Sequence, residues 1–179
     1  PITVANKKIN LKLLDEFQNA AEEFGIPKTN DFNTGDNFGV GYFQFTTNFN
    51  KVGLKLRCSA AKGYLNPAKK RSNLKIVVNA HVQKINFEGT KVTGVNYYTG
   101  DKLNTVNANK EVILSAGSIG SPHILQVSGV GNSLKIKNHG IEIVHNSPGV
   151  GKNLQDHIMM RPVYKVKNIK TLNKKVNSF

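Results

Sequence analysis

Lys110 to Gly131 reads KEVILSAGSIGSPHILQVSGVG, and three local signals follow one another in it. Glu111-Val112-Ile113-Leu114 is a short apolar run of the kind that forms a buried strand. Ser115-Ala116-Gly117-Ser118 places small residues where that strand would end. Ser121-Pro122 then suits a helix start, because serine caps orphan N–H groups and proline lacks the N–H that would be unsatisfied at the first helical position. The spacing predicts a helix over 121–128, with Ile124, Leu125 and Val127 on its buried side and Gly129 as its left-handed stop. Strand, small-residue turn and helix in that order form a βα unit. In an open α/β sheet the crevice at the carboxyl end of such a strand is where ligands settle, and small residues let backbone approach a phosphate or sugar.

Working outward, Asn10 is placed to cap a helix running to Phe24, since Leu13, Leu14, Phe17, Ala20, Ala21 and Phe24 repeat with helical spacing and Gly25 follows. Residues 26–36 carry turn residues and read as a loop, and 40–47 as an aromatic, β-branched strand. Residues 55–64 read as a helix or irregular segment ended by Asn66-Pro67, with Lys69-Lys70-Arg71 on the surface. A strand over 74–87, a turn at Glu88-Gly89-Thr90, a strand over 92–98, a turn at Thr99-Gly100-Asp101-Lys102 and a return over 103–108 predict an antiparallel meander. After the central unit come a short helix over 134–139 stopped by Gly140, a strand over 141–144, and a further strand beginning at Val163.

Composition bounds the function classes. At 179 residues and 39% hydrophobic content the chain suits one domain with a core, and it holds no apolar run of the roughly 18 residues a membrane helix needs. Pro1 stands where an initiator Met would, and no apolar leader follows, which suggests a piece of a longer protein. A lone Cys58 excludes an internal disulfide and a zinc cluster, and fits a reducing, cytoplasmic setting. The net charge of +14 comes from 25 basic residues of which 22 are lysines, spread among asparagines without an arginine cluster or an aromatic-basic signature. A solvated lysine surface is the reading, with no nucleic-acid partner; a non-catalytic basic α/β module for an anionic partner is the alternative.

Recognisable catalytic loops fail on spacing. The pairs Gly39/Gly41, Gly129/Gly131 and Gly149/Gly151 are followed by Gln44, Leu134 and Leu154 where a dinucleotide fingerprint needs its third glycine. Gly151-Lys152 is no phosphate loop, since Asn153 follows and Asn146 replaces the required upstream glycine. His81, His123, His139, His145 and His157 include no pair four apart, and Gln126-Val127 precede Ser128 where a nucleophile elbow is Gly-x-Ser. Neither a metal site nor an acyl-transfer site is expected.

Gly117-Ser-x-x-Ser121-Pro122-x-Ile124-Leu125-x-x-Ser128-Gly129-Val130-Gly131 resembles the second signature of the GMC (glucose–methanol–choline) oxidoreductases, which are FAD-dependent. Residues 73–82 look like that family's strand reaching the adenine of the flavin, and Pro148-Gly-Val-Gly-Lys-Asn-Leu-Gln-Asp-His157 like its PGVGxNLxDH loop. Asp31-Phe-Asn33, residues 39–44 and Arg57-Cys-Ser59 are similar to the choline dehydrogenase-like branch. The resemblance covers residues 31–164. It implies an α/β fold with α+β character: part of a Rossmann-like FAD-binding sheet (71–157) carrying an inserted meander, and parts of a substrate-binding domain (1–70 and 158–179). It further implies oxidation of a primary alcohol to an aldehyde, with Val82, Ser115, Ala116, Gly117, Asp156 and His157 toward FAD, and Phe43 and Gln44 lining the alcohol pocket. His157 is read as a positioning residue. The family's first GxGxxG and its catalytic histidine have no match here, so no catalytic residue is assigned, and the rest of a parent chain is the implied partner. The resemblance leaves the electron acceptor open among oxygen, a quinone and another carrier, and allows membrane association of the parent.

Overall fold

The structure is a computed structural model that describes residues 2–5, 11–49, 55–169, 171 and 173. By internal contacts the chain divides into two units, Pro1–Lys75 with Pro162–Phe179, and Ile76–Arg161.

In the first unit, β1 (Val4–Ala5), β2 (Phe45–Phe49) and β3 (Lys55–Arg57) form an antiparallel sheet with β2 central. β1 was not foreseen. β2 begins later than the expected residue 40, because Val40 is taken by the preceding loop: Thr29 N–H donates to its carbonyl and its N–H to that of Pro27, both at 2.9 Å. Pairing with β1 starts only at Phe45. Helix α1 (Lys12–Glu23) ends as its sequence demands. Gly25 adopts φ +96°, its N–H donates to the Glu22 carbonyl at 3.0 Å and Ile26 N–H to that of Ala21 at 2.9 Å, which is a Schellman closure. Its other end differs from expectation: Leu11 occupies the cap position with extended backbone and no side-chain bond, while Asn10 lies outside the described residues. After β3, a π-helix (Ala61–Leu65) runs into α2 (Asn66–Ala68), so Asn66-Pro67 continues the helical path where it was expected to stop it. Proline is tolerated there because it stands in the first turn of the new segment. Cys58 is buried and Lys69, Lys70 and Arg71 are exposed.

The second unit is built on the meander. β4 (Ala80–Glu88), β5 (Lys91–Thr99) and β6 (Lys102–Asn107) pair antiparallel in chain order, turning through Gly89 at φ +60° and Gly100 at φ +58°. The register slips by one residue between Val82 and Lys84. Helix α3 (Gly117–Val127) packs on β4 and on β7 (Val130–Gly131). α4 (Ser133–Asn138) follows, with the Asn132 side chain accepting from Lys135 N–H at 3.1 Å and Gly140 at φ +69° closing it. β8 (His145–Asn146) lies parallel to β7, later than the expected 141–144, and no strand follows it among the described residues.

Among the described residues the strand expected over 111–114 does not form, and the one expected over 74–87 begins only at Ala80. Residues 74–78 and 111–114 join no ladder, Asn79 turns at φ +53° just ahead of β4, and Val78 and Ile113 are 70% and 78% exposed. Apolar pattern makes a segment suited to a strand, but the ladder needs a neighbour that these residues do not find. The same cause limits the core. Only Cys58, Ile85 and Ile136 are buried apolar residues among those described, and Ile124, Leu125 and Val127 are half-buried.

Candidate functional site

Helix α3 starts four residues before Ser121, contrary to expectation, and Pro122 lies inside it. The reason is the direction of the serine's bond. Ser121 Oγ accepts from Ala116 N–H at 3.1 Å, upstream, and so serves a donor at the head of the helix rather than one after the serine. The effect is to pin the turn Ser115-Ala116-Gly117 against the first turn of α3. All three residues are exposed, and Gly117 has φ +83°. No atom outside its immediate neighbours and its own helix backbone lies within 4 Å of where a Cβ on Gly117 would stand. An 11-residue helix thus presents its N-terminal N–H groups beside open space bordered by small residues, which favours an anionic group.

The other end of α3 is tied to the sheet. Ser128, 6% exposed, accepts from Ile85 N–H through Oγ at 2.8 Å and donates to the Ile124 carbonyl. β4 is the outer strand of its sheet as described, so this bond uses an edge group that β5 does not take. Val82, half-buried on β4 opposite Tyr97, stands just before the register slip.

Beyond β8 the chain folds back along α3. A cleft of about 790 Å³ separates Ser118, Ile119, Pro122, His123 and Gln126 of the helix from residues 151–155. Gln126 Nε2 donates to the Val150 carbonyl at 3.1 Å across this boundary. Asp156 and His157 follow directly, both exposed, with His157 N–H donating to Asp156 Oδ1 at 2.7 Å.

The structure therefore places Val82, the Ser115–Gly117 turn and the segment leading to Asp156-His157 in one unit. Phe43 and Gln44 belong to the other unit. Phe43 is 70% exposed, with its ring 5.1 Å from that of Phe32 and tilted by 36°. Sequence reasoning passed over Gln126 and the bonding of Ser128. Ser128 had a detectable signal, a hydroxyl closing an apolar helix; Gln126 had none, since its partner is a loop carbonyl 24 residues away.

The sequence profile described as GMC oxidoreductase matches residues 1–159, and the chain belongs to that family. It is 42% identical over 168 residues to the oxygen-dependent choline dehydrogenase of Pectobacterium carotovorum subsp. carotovorum (strain PC1), covering 93% of this chain and 29% of that protein. To the mitochondrial choline dehydrogenase of Homo sapiens it is 41% identical over 158 residues, 88% of this chain and 26% of the relative. Among solved structures, an FAD-dependent oxidoreductase from Chaetomium thermophilum superposes with a TM-score of 0.79 at 32% identity, covering 87% of this chain and 27% of that one. Pyridoxine 4-oxidase from Mesorbium loti gives 0.74 at 26% identity, over 88% of this chain and 30% of its own. The chain spans less than a third of the length of these relatives. The α/β class expected from the sequence holds, and the cofactor of the family is FAD.

Proposed function

We propose that this chain is the middle portion of an FAD-dependent alcohol oxidoreductase, with residues 71–157 forming the later part of its FAD-binding domain and 1–70 and 158–179 belonging to its substrate domain. The observation that carries the proposal is the open, small-residue turn at the head of α3 in a chain of this family. Family membership favours this reading over a basic binding module. The division into units near residues 75 and 161 and the unpaired apolar stretches at 74–78 and 111–114 also support it, since a larger sheet would pair those stretches.

FAD fits the residues present. The space at Gly117 would accept the nucleotide half, with Ser115 and Ala116 too small to obstruct it, and the α3 N-terminus would face negative charge. Val82 would offer backbone groups to the adenine edge, and Asp156-His157 would approach from the loop. When bound, the flavin supplies a hydride acceptor at N5 for oxidising a primary alcohol of the choline kind to its aldehyde. Phe43 and Gln44 would line the alcohol pocket. The cytoplasmic setting inferred from one cysteine belongs to the same proposal, and no helix among the described residues is long and apolar enough to cross a membrane. The decisive experiment is anaerobic: the longer protein, purified yellow, should bleach on adding choline or another primary alcohol. A colourless protein, or an unbleached one with every alcohol tried, would overturn the proposal.

Two substitutions in the longer protein probe the assignments. Gly117→Val should weaken FAD retention in a protein that still folds, because the added methyls enter space that no protein side chain fills. The positive φ costs about 1–2 kcal/mol for any side chain, so Gly117→Ala is the control: a cofactor at this turn predicts a larger loss for valine than for alanine. Equal flavin occupancy in both variants and the wild type would move the cofactor elsewhere. Phe43→Ala and Gln44→Ala should lower kcat/KM for the alcohol while sparing FAD affinity, and unchanged kinetics in both would remove this segment from the pocket.

A further inference from the structure

Gln126 is half-buried on α3, and its side chain is lodged between two glycines. A Cβ on Gly151 would stand 2.7 Å from Gln126 Nε2, and one on Gly131 would stand 3.2 Å from Gln126 Cγ. Gly151 adopts φ +76°, so the loop backbone comes close over the amide in a conformation that glycine permits. The bond from Nε2 to the Val150 carbonyl completes the seat. The start of the loop is tied to β7 by Ser147 N–H donating to the Gly131 carbonyl at 2.8 Å, and beyond it the loop shapes itself by local bonds, Val150 N–H to the Ser147 carbonyl and Lys152 N–H to that of Gly149, both at 3.1 Å. Those bonds define a turn without fixing it to the helix. Past this point residues 151–161 are all exposed.

We propose that Gln126 is a positioning residue that latches the 147–152 loop onto α3 and so sets where Asp156 and His157 stand relative to the Ser115–Gly117 turn. The proposal rests on the reading above that these two groups flank the flavin nucleotide. A glutamine suits the task because its neutral amide reaches one turn beyond the helix surface and donates to a carbonyl without carrying a charge into a half-buried seat. Glutamate keeps the shape but has no donor and sets a carboxylate against the Val150 carbonyl. Methionine keeps the bulk and loses the bond.

The test uses the longer flavoprotein with Gln126→Met, Gln126→Glu, Gln126→Ala, Gly151→Ala and the double variant Gln126→Ala/Gly151→Ala. Two readings are taken: amide hydrogen exchange in the apoprotein, and the FAD dissociation constant from titration followed by flavin fluorescence. Faster exchange is expected across 149–157 in both Gln126 variants, with α3 and β4 unchanged, and a Kd for FAD raised roughly three- to tenfold, the scale of one hydrogen bond. Gly151→Ala should raise Kd as well. Removing the glutamine beneath it should recover part of that loss, a non-additivity expected only of groups in contact. Unchanged exchange over 149–157 in Gln126→Met and Gln126→Glu overturns the latch. Faster exchange with an unchanged Kd, or strictly additive Kd values in the double variant, overturns the positioning role. A wild type that binds no FAD brings down the proposed function instead, and the latch is then decided by exchange alone.

Discussion

The 179-residue chain, purified with FAD present and then desalted, will show no flavin band and no alcohol-dependent dye reduction, whereas the longer protein containing it will show both. In dinucleotide folds the pyrophosphate is held chiefly at the first βα turn, where glycines allow close approach and a helix N-terminus faces the charge. No GxGxxG occurs in these residues. The Ser115–Gly117 turn and Val82 would touch only part of the nucleotide. Each factor of ten in affinity is about 1.4 kcal/mol, so the loss of a few phosphate hydrogen bonds at about 1.5–3 kcal/mol each takes binding beyond what survives desalting. The same chain should be poorly soluble despite its charge, because 74–78 and 111–114 present apolar, strand-prone backbone with no partner. A stoichiometric flavin band, or dye reduction with choline, would show that these residues hold the cofactor alone.

What could be read from the sequence was what is closed locally. The turns of the meander carry their own chemistry at Gly89 and Gly100, and the ends of α1 and α4 carry theirs at Gly25 and Gly140, so each could be placed without knowing its surroundings. Errors cluster where a bond reaches across the chain. The 40–47 strand was shortened by the pairing of Val40 with the 27–29 loop, and α3 was lengthened by the reach of Ser121 Oγ back to Ala116. Apolarity alone reads 74–79 and 111–114 as strand, but these residues find no ladder partner among those described, since pairing is a property of two segments.

The candidate site follows the same division. The small-residue turn was visible because its composition alone defines it: little side chain, an available helix end, open space at Gly117. Gln126 was invisible, since its significance lies in a carbonyl that the fold alone brings to it. The glycines of 129–131 and 149–151 failed as phosphate loops by spacing, and the structure gives three of them other reasons to be glycine. Gly131 and Gly151 enclose Gln126, and Gly129 lets two chain segments meet.

That last closeness predicts a large loss of stability on substitution of Gly129. Gly129 follows the C-cap of α3 at φ +87°, and its carbonyl accepts from Val144 N–H at 2.9 Å and from His145 N–H at 3.2 Å. A Cβ there would collide with the Glu142 carbonyl and come within 3.0 Å of both Val144 N and Val144 Cγ2. The obstacles are mostly backbone, which cannot swing aside as a side-chain tip can. Gly129→Ala therefore carries two costs, about 1–2 kcal/mol for a left-handed backbone and about 1–3 kcal/mol for overpacking. Gly140 isolates the first of them: its φ is +69°, but no atom lies within 4 Å of its Cβ position. In thermal unfolding of the longer protein Gly129→Ala should lower Tm markedly more than Gly140→Ala, and Gly129→Val should fail to accumulate in soluble form. If Gly140→Ala proves as damaging as Gly129→Ala, the close approach of the 142–144 segment to the end of α3 is not what holds this part of the fold together.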